Sequence, residues 1–158
     1  MLSTLLTMPV EALDNLEDLS DTINDSTPLA ANVEHTIGFT LPGDALQIST
    51  SDYIIIDLPN FSNITAPTTV DGVYGGTPTI TVVGTEIRIT GIVVLPAMTL
   101  TIEGATATNP ASASDFGVTV IVSEDEDGLL MKNIGYIVAS KSSGRVTVSA
   151  TVEPPVAS

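Results

Sequence analysis

Short runs in which apolar and small polar side chains alternate are the feature that most constrains this fold. Residues 146–152 carry valine or alanine at every second position, with threonine or serine between them. Residues 34–41 repeat the pattern with Ile37, Phe39 and Leu41. A period of two places alternate side chains on opposite faces of a β-strand, whereas an amphipathic helix needs a period near 3.6. Each run therefore predicts a half-buried strand.

Six further runs of the same kind predict strands, and turn residues separate them. They cover residues 53–58, 79–83, 87–95, 99–103, 117–123 and 133–140. Gly91 interrupts one of them and predicts a bulge or bend, while tracts 63–78 and 105–114 are typical of loops. Regularly spaced short strands predict an all-β fold. We expect a single antiparallel β-sandwich of about eight strands, Ig-like or jelly-roll-like, with an N-terminal extension; the pattern leaves strand order open.

The region before these strands has a different pattern. In EALDNLEDLSDTINDS, residues 11–26, Leu13, Leu16 and Leu19 recur at helical spacing. This spacing predicts a short amphipathic helix, and an acidic extended linker is the alternative. We therefore divide the chain into residues 1–26, an apolar strand followed by this helix or linker, and residues 27–158, the sandwich.

Charge and cysteine content exclude several classes of protein. The 158 residues include 19 Asp and Glu, 4 Lys and Arg, and no Cys, for a formal net charge of −15. Binding to nucleic acid or to an anionic membrane relies on basic residues, so neither is an expected partner. Disulfides and Cys-ligated zinc are excluded. No apolar run has the length of a membrane span, and the composition suits an extracellular or cell-surface protein.

Residues suited to catalysis are scarce. His35 is the sole histidine, and no nucleophile motif accompanies it, so it is expected to be structural or to lie on the surface. A hydrolase using two carboxylates remains an alternative. With three Tyr, three Phe and no Trp, however, the chain has few rings for a sugar-binding cleft. We predict that the protein is not an enzyme.

One acidic run is a candidate cation site. Glu124, Asp125, Glu126 and Asp127 precede Gly128. Calcium is bound by six to eight oxygen ligands, often from loop carboxylates. The run lacks EF-hand spacing, and a solvated hairpin turn is the simpler interpretation. Calcium, in a site completed by ligands from another loop or subunit, is the one cofactor that the sequence suggests.

Three N-x-S/T sequons are candidate glycan acceptors. They begin at Asn24, Asn60 and Asn63. Such sequons are common by chance in a chain rich in Thr and Ser, so modification depends on an exported location and on the host.

The first ten residues are unusually apolar and carry no charged side chain. Within MLSTLLTMPV, the apolar set is Leu2, Leu5, Leu6, Met8 and Val10. Three interpretations stay open. The segment is the first strand or anchor of its own sandwich, a donor strand that pairs with a sheet edge of a neighbouring subunit, or the remnant of a leader cleaved near residues 10–12.

Several stretches resemble secreted prokaryotic surface β-sandwich proteins, including pilus-like filament subunits. They are LSDT at 19–22, HTIGFT at 35–40, IIIDLP at 54–59, TLTIEG at 99–104 leading to ATNP at 107–110, and VTVSATV at 146–152. The resemblance implies a surface location and a structural role, and no catalytic residue. We expect a subunit of an extracellular filament or surface layer that forms a homopolymer by donating its N-terminal strand. A monomeric adhesin or stalk module is the alternative.

Overall fold

The computed structural model describes residues 16–45, 47–112, 114–124, 128–138 and 146–149, and these contain ten β-strands and no helix. The strands are β1 (Glu17–Ile23), β2 (Val33–Thr40), β3 (Tyr53–Asp57), β4 (Thr69–Asp71), β5 (Gly75–Val83), β6 (Glu86–Val93), β7 (Thr99–Ala107), β8 (Ser114–Glu124), β9 (Gly128–Val138) and β10 (Val146–Ser149).

The strands form two five-stranded antiparallel sheets. Strand order is β10-β1-β2-β7-β4 in the first sheet and β5-β6-β3-β8-β9 in the second. The chain makes hairpins at β1–β2, β5–β6 and β8–β9, and elsewhere it passes from one sheet to the other. The expected all-β sandwich is confirmed, and each of the eight runs with period two contributes to a strand.

The core lies between the sheets and follows the alternation in the sequence. In β2 the inward residues are Val33, His35, Ile37 and Phe39, all at most 1 % exposed. The second sheet contributes an aliphatic inward face: Ile54, Ile56, Ile87, Ile89, Val118, Val120 and Val122. Burying a large aliphatic side chain stabilises a fold by about 1.5–3 kcal/mol. Packing between the inward residues of the two sheets therefore holds the sheets together.

Three segments differ from the sequence prediction. The expected helix or linker over residues 11–26 is wrong for its described part, because Glu17–Ile23 is strand β1, paired with β2 and β10. The boundary between residues 26 and 27 thus falls between two neighbouring strands of one sheet. The loop expected over 63–78 contains β4 and the start of β5, and β7 extends through Ala107 into the other expected loop.

The irregularity predicted at Gly91 is present, but the register shift lies in the neighbouring strand. β6 continues through Gly91, while the pairing of β5 shifts between Gly76 and Thr79. Gly91 has φ +81°, and a Cβ there would lie 2.6 Å from the carbonyl oxygen of Thr77. Only glycine fits this conformation and this close approach.

Candidate functional site

A polar pair lies in the core between β1 and β2. The imidazole Nδ1 of His35 lies 3.0 Å from Oδ2 of Asp21, and both side chains are fully buried. The ring of His35 also meets Phe61 edge to face, with 5.3 Å between centroids. Alternation along β1 places Asp21 between Leu19 and Ile23 on the inward face, so the pair lies among apolar side chains.

The surroundings of this pair favour a structural role. A buried charged or polar group is tolerated when it is hydrogen-bonded to a partner, and the bond fixes which residues face each other. Because neither side chain reaches solvent, no substrate meets them in this conformation. We assign the pair to the register of β1 against β2.

The outer side of β7 in the first sheet is covered by residues that are hydrogen-bonded to it through their backbones. The short strand β4 pairs with β7 from Thr69 to Asp71. Before it, the backbone N–H of Thr65 donates to the carbonyl of Thr106 at 2.8 Å, and Ser62 and Thr108 form an isolated bridge. β7 therefore has partners along most of its length, and the edge that remains is short and irregular. Natural sheets limit unwanted strand pairing in this way.

The outer edge of the second sheet is β5, and its backbone phase can be read from its neighbours. The carbonyl of Thr85 accepts a hydrogen bond from Leu58 N–H at 3.0 Å, so Thr85, Ile87 and Ile89 direct their backbone groups to β3. The alternate residues of β6 therefore bond to β5. Those residues pair with Thr79, Thr81 and Val83. Ile80 and Val82 consequently direct their N–H and C=O groups away from the sheet.

Within the described part of the chain, no feature protects the edge formed by residues 79–83 of β5. The side chains of Ile80 and Val82 face inward and pack on the core, while Thr79 and Thr81 are exposed. Val83 is 72 % exposed, and Tyr74, just before the strand, is 69 % exposed. Pro78 and the register shift interrupt only the first half of β5. β5 has no charged side chain, and Arg88 on β6, which pairs with Thr81, lies 4.4 Å over the ring of Tyr53.

The opposite edges of the two sheets are β9 and β10, and these strands approach one another. Among the edge segments whose burial the structure describes, residues 79–83 combine strand length, exposed side chains and the absence of charge.

The predicted calcium site lies mostly outside the described residues. Glu124 ends β8 and pairs with Gly128 at the start of β9. Asp125, Glu126 and Asp127 lie outside the described residues. Among the residues that are described, no group of three metal-ligating side chains comes together. Calcium binding by this turn stays a prediction.

The three sequon asparagines are all exposed. Oδ1 of Asn24 accepts the backbone N–H of Glu34 at 2.9 Å, and Nδ2 of Asn63 donates to Oγ1 of Thr108 at 3.2 Å. Exposure makes these positions accessible to a glycosyltransferase, and glycosylation stays a prediction.

The predicted interface residues Leu2, Leu5, Leu6, Met8 and Val10 lie outside the described residues. The described chain begins at Leu16, which is fully buried and precedes β1. In the part of the chain that the structure covers, no helix has the length and apolar character to cross a membrane.

Comparison with known proteins gives no relative. No family model, curated protein or solved structure matches this chain.

Two structural residues were missed at the sequence level. Asp21 occupies an inward position of β1, and the signal was its place between Leu19 and Ile23. Asn109 is buried, and its Nδ2 donates to the carbonyls of Asp25 and Thr27, each at 2.9 Å. This amide fastens the β1–β2 connection to the end of β7. The Asn-Pro pair at 109–110 marked a turn without indicating this contact.

Proposed function

We propose that this chain is a structural subunit of an extracellular filament or surface layer, and that it polymerises by donating residues 1–10 to a neighbouring subunit. Support comes from one combination: an antiparallel sandwich with an uncharged, unprotected edge in a chain that also has an uncharged apolar segment. Added strands bind through main-chain hydrogen bonds, and their alternate side chains give specificity.

The position of β1 supports donation. β1 already fills the place between β10 and β2, so the first sheet does not need residues 1–10 at that position. Joined head to tail, such a contact is heterologous and generates an open filament. The acidic surface suits a secreted polymer, because a net charge of −15 suppresses other contacts between copies.

Electron microscopy and size-exclusion chromatography test this proposal. The full chain is expected to form filaments, and a chain lacking residues 1–10 is expected to be a folded monomer, since the deletion removes no residue of β1. Circular dichroism checks that the deleted chain is folded. Polymerisation of the deleted chain would refute strand donation. A full chain that stays monomeric favours the adhesin or stalk alternative.

A further inference from the structure

We propose that residues 79–83 of β5 receive residues 6–10 of a second copy as an added antiparallel strand, with Leu6, Met8 and Val10 in phase with Ile80 and Val82. The inference rests on the proposed function and assigns the receiving edge, the orientation of the donor and the face that each donor residue occupies.

At the receiving edge, the same two residues provide both the outward backbone groups and the inward side chains that a donor strand would meet. Ile80 and Val82 direct their N–H and C=O groups outward, while their side chains face the core beside Ile89 and Ile87. In an antiparallel ladder, the residues that exchange both hydrogen bonds lie directly opposite each other and share a face. A donor residue opposite Val82 would therefore bond through its backbone and place its side chain over the core.

The donor pattern matches this edge. Leu6, Met8 and Val10 alternate with Thr7 and Pro9. With the apolar set facing inward, the antiparallel orientation directs the backbone nitrogen of Pro9 away from β5, where its lack of an N–H costs nothing.

The same proline disfavours the parallel orientation. In a parallel ladder, the donor residues that bond to Ile80 and Val82 lie one position out of phase with the inward side chains. Pro9 would then stand at a bonding position without an N–H to donate. The sequence of the segment thus selects the antiparallel orientation.

The lengths and the charges of the donor and receiving segments are also compatible with this pairing. Each five-residue segment spans about 17 Å as a strand. Neither β5 nor residues 1–10 carries a charged side chain, in a chain of net charge −15. Two such segments can meet without bringing acidic groups of the two copies into direct contact, which suits association of like-charged molecules.

Strand order favours a donor from a second copy. β1 lies next to the side where β9 and β10 meet, and β5 is at the far edge of the other sheet. Reaching a position beside β5 means passing at least three strand spacings, about 14 Å, and one sheet separation, about 10 Å. The six residue steps from Leu16 back to Val10 reach about 20 Å when fully extended, which leaves no slack for a path around the same sandwich.

Cysteine cross-linking of full-length chains tests the phase, because the natural chain has no Cys. A Met8→Cys chain is mixed with an Ile80→Cys chain, and in a separate mixture with a Val82→Cys chain. Thr7→Cys replaces Met8→Cys as the matched control. Disulfides need Cβ atoms about 4 Å apart that point toward each other. We expect one of the Met8→Cys mixtures to give at least about tenfold more cross-linked dimer than its Thr7→Cys control, because pairing raises the effective concentration of the thiols.

A second pair of variants tests the backbone. Val82→Pro removes an outward N–H, whereas Val82→Ala keeps it and also shortens the side chain. Proline is accepted on an edge strand where the N–H faces solvent. Circular dichroism is used to check both folds. Self-association of Val82→Pro is expected to be about tenfold weaker than that of Val82→Ala.

The outcomes separate this inference from the proposed function. If filaments depend on residues 1–10 but cross-linking shows no preference for Met8→Cys, or Val82→Pro assembles like Val82→Ala, the receiving edge is wrong and donation stands. If a doubly substituted Met8→Cys, Val82→Cys chain closes on itself while the mixtures stay unlinked, the segment completes its own sandwich. If wild type does not assemble and none of the cysteine mixtures cross-links, both proposals fail.

Discussion

The inward face of the first sheet carries Asp21 and His35 among apolar neighbours, whereas the buried residues described on β3, β6 and β8 of the second sheet are all Ile or Val. The first arrangement fixes register, because the Asp–His hydrogen bond forms in one alignment of β1 against β2. The aliphatic face of the second sheet stabilises the fold mainly through buried apolar area and complementary shape, and apolar side chains of similar volume can replace one another there.

The outer edges of the sheets differ in a related way. In the first sheet, the outer side of β7 is covered by the short strand β4 and by the residues before it, which are hydrogen-bonded to the β7 backbone. In the second, residues 79–83 of β5 present outward backbone groups and no charge. At these two edges, β4 and the residues before it cover β7 in the first sheet, whereas none of the described residues pairs with the outer side of β5 in the second.

The largest expected effect comes from breaking the polar pair in the first sheet. His35→Ala leaves Asp21 buried without its imidazole partner, and we expect the free energy of unfolding to fall by about 3–5 kcal/mol. Urea denaturation measures it. Replacing both residues with leucine serves as the control and should recover much of the loss, because no buried carboxylate remains. A loss below about 1 kcal/mol for His35→Ala would show that the pair does not specify the sheet.

In the second sheet, the loss in the free energy of unfolding on truncating a core side chain should increase with the volume removed. Ile56 is fully buried on β3. Ile56→Val is expected to cost about 1 kcal/mol and Ile56→Ala about 3 kcal/mol in the free energy of unfolding, through lost burial and the cavity left behind. Urea denaturation of both variants checks the series. An equal cost for both would contradict an aliphatic face that stabilises by packed volume.

A smaller effect is expected where the end of the first sheet is closed. Asn109→Ala removes two hydrogen bonds and leaves the carbonyls of Asp25 and Thr27 without that donor. We expect a loss of about 2 kcal/mol by thermal or urea unfolding. Thr40→Ala, which removes a more exposed hydroxyl contact with Thr99, is the control and should change stability by less than about 0.5 kcal/mol. Equal effects would refute a fastening role for Asn109.

The smallest effect concerns pH and the same connection. The side chain and the backbone N–H of Thr27 donate to Asp25 and hold the pKa of this carboxyl below its usual 3.8. A lowered folded pKa contributes stability that is fully present above the unfolded pKa and is lost as pH falls through the folded pKa. The stability of wild type minus that of Asp25→Asn should therefore be constant above pH 3.8 and shrink below it. A difference that grows on acidification would contradict the contact.

Period two in the sequence was sufficient for the fold class, because alternating Val, Ile and Thr determine which face of a strand is buried. It failed at β1, where Leu13, Leu16 and Leu19 mimic helical spacing and Asp21 looks like a surface residue. The place of Asp21 between Leu19 and Ile23 hinted at an inward position, and the contact with His35 explains why a carboxylate is tolerated there. It also failed at β4, which is three residues long and depends on pairing with β7.

The candidate edge was beyond sequence reasoning for a different reason. The alternation predicted the strand at 79–83, and the apolar composition of residues 1–10 suggested a donor strand as one of three interpretations. Which strand lies at an edge depends on pairings between residues distant in sequence, and the backbone phase of Ile80 and Val82 follows from a bond between Leu58 and Thr85 on the neighbouring strands.

Residue-resolved amide hydrogen exchange, compared between dispersed and assembled full-length protein, tests the open edge most directly. In the dispersed protein, the amides of Thr81 and Val83 should be protected by β6, while those of Ile80 and Val82 exchange fast. On assembly, Ile80 and Val82 should become protected, and Thr81 should change little. Fast exchange at Ile80 and Val82 within assembled protein would contradict the assignment of β5 as the joining edge.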